Sequence, residues 1–272
     1  MRERLASIAR TRRFICVAGL PGTGKSLLIQ QLAHLAAAGG RGVHLLQWDV
    51  ARPAFEASDA GRRHPVVDGV TQPIVRKAVG LWARGAIVEW HRRQPETALL
   101  IAETPLVGNR LIELARVAED DAEPLLGSPA CCFVLPVPSV EVRRFIEAER
   151  ERRAARPLHA REREDAPPAV LRALWTELQR VARELGIGTR EAAYAPDTYR
   201  RVYEAVLRRR SVETLAVDTV LPTQESSVYD FAVAPADVIP RPADADALVR
   251  RAEALYPDAS ALASEVERWW VV

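Results

Sequence analysis

The chain has 272 residues, 48% of them hydrophobic, with 38 basic and 36 acidic side chains for a formal charge of +2. That apolar content supports a sizeable core and excludes a disordered chain, and the near-neutral balance gives no global attraction to nucleic acid or an anionic membrane. No apolar run approaches the ~20 residues of a spanning helix. Met1-Arg2-Glu3-Arg4 is charged and reads straight into a first strand, without a secretory signal. The three cysteines, Cys16, Cys131 and Cys132, fall in predicted core strands, as buried reduced thiols do. A soluble, cytoplasmic protein with no membrane partner is expected.

The first predicted strand, 13–18, leads into Gly19-Leu20-Pro21-Gly22-Thr23-Gly24-Lys25-Ser26, which satisfies G-x-x-x-x-G-K-[ST]. An amphipathic helix opens at Ser26 and closes at the Gly39-Gly40 pair. Glycines at such a strand-to-helix turn let successive N–H groups surround an anion at the positive end of the helix. Lys25 then reaches the outer phosphates of a nucleoside triphosphate, ATP in the first instance, and the Ser26 hydroxyl holds Mg2+. Gly19, Gly22, Thr23 and Gly24 complete the cradle. Lys25 and Lys77 are the only lysines and Asn109 the sole asparagine. In so arginine-rich a chain, a lysine is expected where a compact ammonium is needed and a planar guanidinium does not fit.

A second strand, 43–48, ends beside Asp49 and Arg52. In a parallel sheet the carboxyl ends of strands line the ligand crevice, which places Asp49 near the phosphate loop. A carboxylate there can take a proton from an acceptor hydroxyl as it attacks the γ-phosphoryl group. Arg52 brings a fork suited to an anionic group on that acceptor. Residues 50–70 are polar and turn-rich, a candidate substrate loop. Trp48 is placed to stack on a base or sugar, with core packing as the alternative. Thr71 is expected to cap a helix with Pro73 in its first turn, running towards Trp90. Trp82, Trp90, Trp175 and Leu178 fit core positions.

The third strand, 98–102, precedes Glu103, which is placed either to order Mg2+ or to cap a helix that Thr104-Pro105 starts and Arg116 ends. Asn109 and Arg110 lie one turn into that expected helix and face the acceptor. A fourth strand, 131–136, leads to a helix capped by Ser139. Arg150, Arg152, Arg153, Arg156, Arg161 and Arg163 follow, interleaved with glutamates. They form a lid whose Arg150, Arg153 and Arg156 touch phosphate, or a solvated helix laced with ion pairs, and the two are compatible. Helical stretches to about residue 210, a strand at 213–217, a Pro-rich segment and two short helical patterns follow. Trp269-Trp270 is expected to pack back on the core.

The alternation of strand and helix predicts an α/β fold: three layers about a mainly parallel five-stranded sheet, with an Arg-rich helical lid. Residues 1–220 form the main domain, with lid and helical insertion at about 150–210, and 221–272 a C-terminal helical extension packing on it.

The phosphate loop on the first strand, Asp49-Val50-Ala51-Arg52 after the second and the Arg-rich helix after the fourth resemble the P-loop kinases over roughly residues 13–165. The Asp-x-x-Arg spacing is most similar to polynucleotide 5′-hydroxyl kinases and adenylylsulfate kinase; adenylate, gluconate and zeta-toxin-like kinases share the frame. The resemblance implies an ATP- and Mg2+-dependent phosphotransferase acting on a hydroxyl of a small metabolite, nucleoside or nucleotide. It implies Asp49 as base or acceptor ligand, Arg52 on acceptor phosphate or sulfate, and an acid at the metal at the position of Glu103, where the usual residue is Asp. Two other readings stand beside it. One is a polynucleotide 5′-hydroxyl kinase, against which the near-neutral charge counts. The other is a nucleotide-dependent regulatory ATPase whose helical tail binds a protein partner.

Overall fold

A computed structural model describes residues 1–67, 69–159, 162, 166–188, 193–220, 227 and 233–272; Arg161 and Arg163 of the expected lid lie outside the described residues. The first element, α1 (Arg2–Thr11), is absent from the sequence expectations, which take the charged N-terminus straight into a strand. It buries Leu5, Ile8 and Ala9 on one face and packs on α2 (Lys25–Ala38). Its charged residues occupy the other face, which hides the apolar spacing.

β1 (Phe14–Ala18) is buried along its whole length. Alternation splits its side chains between two cores: Phe14, Cys16 and Ala18 join one, Ile15 and Val17 the other. β3 (Leu99–Thr104) and β4 (Cys131–Pro138) flank β1, with β2 (Val43–Gln47) beyond β3 and β5 (Val212–Val217) beyond β4. Every pair is parallel. A two-residue strand, β6 (Ala236–Asp237), pairs with β2, so among the described residues the order is β5-β4-β1-β3-β2-β6 and the sheet has six strands, one more than expected. Two residues carry no period, which is why β6 leaves no trace in the sequence pattern.

Helices cover both faces, as a parallel sheet requires. On one side lie α1 and α2. The opposite core is built from α3 (Trp48–Glu56), α4 (Pro73–Arg93), α7 (Pro168–Glu184), α8 (Pro196–Val206), α9 (Pro242–Leu255) and α10 (Ala259–Glu267). The short α5 (Glu123–Leu126) precedes β4, and α6 (Val140–Ala155) follows it. Ser139 caps α6 as expected, its hydroxyl accepting from the Val142 N–H at 3.2 Å. Trp269 and Trp270 pack inward at 0% and 5% exposure. Trp82, Trp90, Trp175 and Leu178 are core residues. All three cysteines are buried free thiols, and burial pushes Cys131 up to about 12 and Cys132 to about 11. Among the described residues no helix is long and apolar enough to cross a membrane.

Two expected helix starts differ. Gln72, not Thr71, stands at the N-cap of α4, and the Thr71 hydroxyl donates instead to Glu56 at 2.8 Å. The helix expected from Thr104 to Arg116 does not form: Thr104 ends β3, a tight turn follows, and only a single 3-10 turn appears at Ile112–Leu114.

Arginines close this irregular stretch. Arg84 pairs with Asp120 at 2.6 Å and Glu123 at 3.0 Å, and Arg210, its side chain fully buried, pairs with Glu123 at 2.6 Å. Burial opposes ionisation of Glu123, yet hydrogen bonds from Arg210 and Arg84 carry its carboxyl down to about 2. Its folded-state value lies below the unfolded one, so the stabilisation is complete above about pH 5 and lost as pH falls towards 2. Glu123→Gln strands the Arg210 charge and is expected to cost about 3 kcal/mol at pH 7, read by urea denaturation. The gap to wild type should close on acidification; a gap independent of pH would contradict the ionic account. Lys77, the second lysine, sits 3.1 Å from Glu113 and 2.9 Å from Glu265, tying α4 to α10.

Candidate active site

The segment 19–26 leaves the carboxyl end of β1 and enters α2 through Gly24, the N-cap, in left-handed conformation. Gly19 is required by space as well as by backbone, and Gly22 by its left-handed backbone, with a tight approach to a side chain. At Gly19 (φ +149°) a Cβ would stand 2.3 Å from the Tyr199 hydroxyl, and at Gly22 (φ +75°) one would stand 3.1 Å from the Arg143 guanidinium. Thr23 is fully buried and its hydroxyl donates to the Leu20 carbonyl at 2.8 Å, locking the turn. Arg143, from α6, donates to the Pro21 carbonyl at 2.6 Å and to Glu147 at 2.6 Å. Sequence reasoning misses Arg143, because nothing in its position one turn after Ser139 announces contact with a loop 120 residues earlier in the chain.

Lys25 is 6% exposed; its ammonium donates to the Leu20 carbonyl at 3.1 Å and lies 3.5 Å from Glu103. Burial lowers its pKa from the ordinary lysine value, Glu103 opposes that, and Arg150 adds to it. An enclosed ammonium with so little compensation favours the arrival of negative charge.

Two cavities meet at Lys25, Ser26 and Arg150. One, of about 160 Å3, lies between the start of α2, α6 and the end of β5, with Leu27, Leu28, Phe145, Ile146 and Val217 in its walls and Arg153 among them. The other, of about 310 Å3, lies over the ends of β2 and β3, where Asp49, Arg52, Thr71, Glu103 and Arg110 converge. Both open at the carboxyl edge of the sheet, the edge where α/β folds bind ligands.

Asp49 stands in the first turn of α3, where the helix dipole favours a carboxylate. It is open to the cavity and makes no hydrogen bond or ion pair to a described residue. Protein walls around that opening raise its pKa, and the charge of Glu103 adds to the effect; Arg52, Lys25 and Arg110 pull the other way. Glu103 accepts from the Gln47 amide at 3.0 Å. The capping alternative for Glu103 falls, because no helix begins after it. Arg52 pairs with Glu56 at 2.7 Å. Trp48 is 3% exposed and belongs to the core, although it borders the polar cavity. Among the described residues no group of three His, Cys, Asp or Glu side chains forms a metal cage. Magnesium at this site would take few protein ligands, Ser26 with Glu103 or Asp49, and phosphate oxygens for the rest.

The remaining expected residues divide. Arg110 lines the polar cavity, Arg153 the apolar one and Arg150 both. Asn109 is fully buried in left-handed backbone (φ +63°) and lines neither; its amide nitrogen and oxygen have no partner among the described residues. Arg156 is exposed beyond the end of α6 and also lines neither. Residues 50–70, expected to be a loop, are half helix: α3 continues through Pro53 to Glu56, and Gly69 and Thr71 return to the cavity wall. Comparison of the chain with protein-family models, curated proteins and solved structures returns no match.

Proposed function

We propose that the protein is a P-loop phosphotransferase that moves the γ-phosphoryl group of ATP to a hydroxyl acceptor. The observation that carries this is the junction at Lys25, Ser26 and Arg150 of an apolar and a polar cavity, with an unengaged carboxylate, Asp49, in the polar one. Supporting it, the loop strand lies at the centre of the sheet between the third and fourth strands, so helices leaving β1 and β4 diverge to open a crevice.

The residues fit Mg·ATP. The N–H groups at the start of α2 and the left-handed glycine turns form a concave anion cradle. Leu27, Leu28, Phe145 and Ile146 offer a flat heterocycle an apolar slot beside it. Bound there, Mg·ATP supplies the activated phosphoryl group and its charge screening. Lys25 and Arg150 hold charge at the junction, Ser26 and Glu103 would hold the metal, and Asp49 orients the acceptor hydroxyl and takes its proton. Arg143 positions the loop through Pro21.

The test is γ-phosphoryl transfer from labelled ATP to a panel of sugars, nucleosides, their phosphate esters and 5′-hydroxyl oligonucleotides, with ATP binding measured beside it. Transfer to a small acceptor is the expected result. Transfer to oligonucleotides alone would make the protein a nucleic-acid-end kinase, and ATP binding with no acceptor in the panel would favour the regulatory ATPase. No ATP binding at all would end the proposal.

A further inference from the structure

Tyr199 puts a fully buried hydroxyl against the phosphate loop. It stands on α8, so close to Gly19 that a Cβ there would lie 2.3 Å from its oxygen. Thr23 and Leu20 are the loop residues that face this oxygen. The hydroxyl nevertheless completes no hydrogen bond to a described residue. Leaving a buried hydroxyl unbonded costs free energy, and phenylalanine would fill the same space without that cost. Thr23 offers the natural acceptor. Its own proton goes to the Leu20 carbonyl at 2.8 Å, and its oxygen keeps lone pairs for a second bond.

The helix holds that hydroxyl in place. Tyr203, one turn further along α8, is equally buried, and its ring lies 4.9 Å from that of Tyr199. Its hydroxyl is bonded, donating to the Pro105 carbonyl at 2.7 Å. The neighbouring Thr104 carbonyl accepts from the Gly19 N–H at 3.1 Å, so α8 and the start of the loop share an anchor at the end of β3. On the other side Tyr194 packs 5.8 Å from Tyr199, with the Arg143 guanidinium 5.5 Å from the Tyr194 ring. The tyrosine is therefore fixed by its neighbours. Thr23 instead stands between two glycines, Gly22 and Gly24, at φ of +75° and +85°, so adjustment between the two residues falls to the loop.

We propose that Tyr199 is a positioning residue of the phosphate loop, its hydroxyl donating to the Thr23 oxygen when the loop grips a polyphosphate. Tyrosine and anion then favour one loop conformation, and each stabilises it for the other. Thr23 belongs to the stretch whose N–H groups form the anion cradle, so seating its side chain sets the direction of those groups. That the anion is the polyphosphate of a nucleotide rests on the phosphotransfer reading. The enclosed hydroxyl beside Thr23 does not.

The experiment is calorimetric titration of Mg·AMP-PNP into wild type, Tyr199→Phe and Tyr203→Phe, with urea unfolding of each protein measured without nucleotide. Tyr199→Phe removes an unbonded hydroxyl, so its unfolding midpoint should stay level or rise while AMP-PNP binds about tenfold more weakly. Tyr203→Phe removes a bonded hydroxyl from the same helix. Its midpoint should fall, with AMP-PNP affinity kept within about twofold. A purely structural role for Tyr199 would couple the two readouts; a positioning role separates them. In a Thr23→Val background, where the acceptor oxygen is gone, Tyr199→Phe should weaken AMP-PNP by less than about twofold. The single variants decide the matter by themselves if Thr23→Val binds no nucleotide.

The proposal is overturned if Tyr199→Phe binds AMP-PNP as wild type does, or if its unfolding midpoint falls. It is also overturned if Tyr203→Phe weakens AMP-PNP equally, which would reduce both tyrosines to packing of α8. A full loss on Tyr199→Phe in the Thr23→Val background would overturn it too. Should wild type not bind AMP-PNP, the titrations are repeated with magnesium pyrophosphate. Pyrophosphate binding that weakens in Tyr199→Phe would then keep the role of Tyr199 while the phosphotransfer reading fell, and no binding of either probe would end both.

Discussion

Lys25→Ala is expected to reduce phosphoryl transfer by about a hundredfold or more and to weaken nucleotide binding, without weakening the fold. The second half of that expectation separates a functional lysine from a structural one. Lys25 is nearly fully enclosed, its ammonium lies 3.5 Å from one carboxylate, and burial dominates its environment. Removing it relieves the cost of enclosing a charge and leaves Glu103 its bond from Gln47. The midpoint of urea unfolding should therefore stay level or rise while binding falls. A variant that unfolds more easily yet still binds ATP would assign Lys25 to the scaffold.

Asp49→Asn is expected to cut transfer by about a hundredfold or more and to change ATP affinity little. The amide preserves size and cannot accept the hydroxyl proton. The carboxyl works only when ionised, and its surroundings raise its pKa, so wild-type transfer should fall on acidification at a higher pH than an ordinary aspartate would give. Asp49→Asn should lose that limb of the profile. An unchanged rate, or an unchanged acid limb, would move the base elsewhere.

The central frame was legible because its signals are local. Alternating apolar runs gave five strands, and the glycine pattern at 19–26 marked a strand-to-helix turn that does lead from β1 into α2. Strand-end position alone places Asp49, Arg52, Glu103 and Lys25 together, and the four do line one cavity. What stayed hidden depends on tertiary contacts or on conflicting local cues. Thr104-Pro105 imitates a helix start, but Thr104 spends its hydroxyl on the Arg110 carbonyl. Gly108-Asn109, the pair most tolerant of left-handed backbone, was the cue that a turn stood there instead. The polar, turn-rich composition of 50–70 hides the helix that runs to Glu56, and the contact of Arg143 with Pro21 exists only once α6 lies against the loop.

The burial of both lysines has a practical consequence. Lys25 and Lys77 are 6% and 9% exposed, so the native surface presents almost no side-chain amine to acylating reagents or to enzymes that acetylate or ubiquitinate. Regulation through lysine marks therefore has little purchase on the folded protein. Only partial opening of α10 from α4, or of the pocket around residue 25, would offer such chemistry a nucleophile.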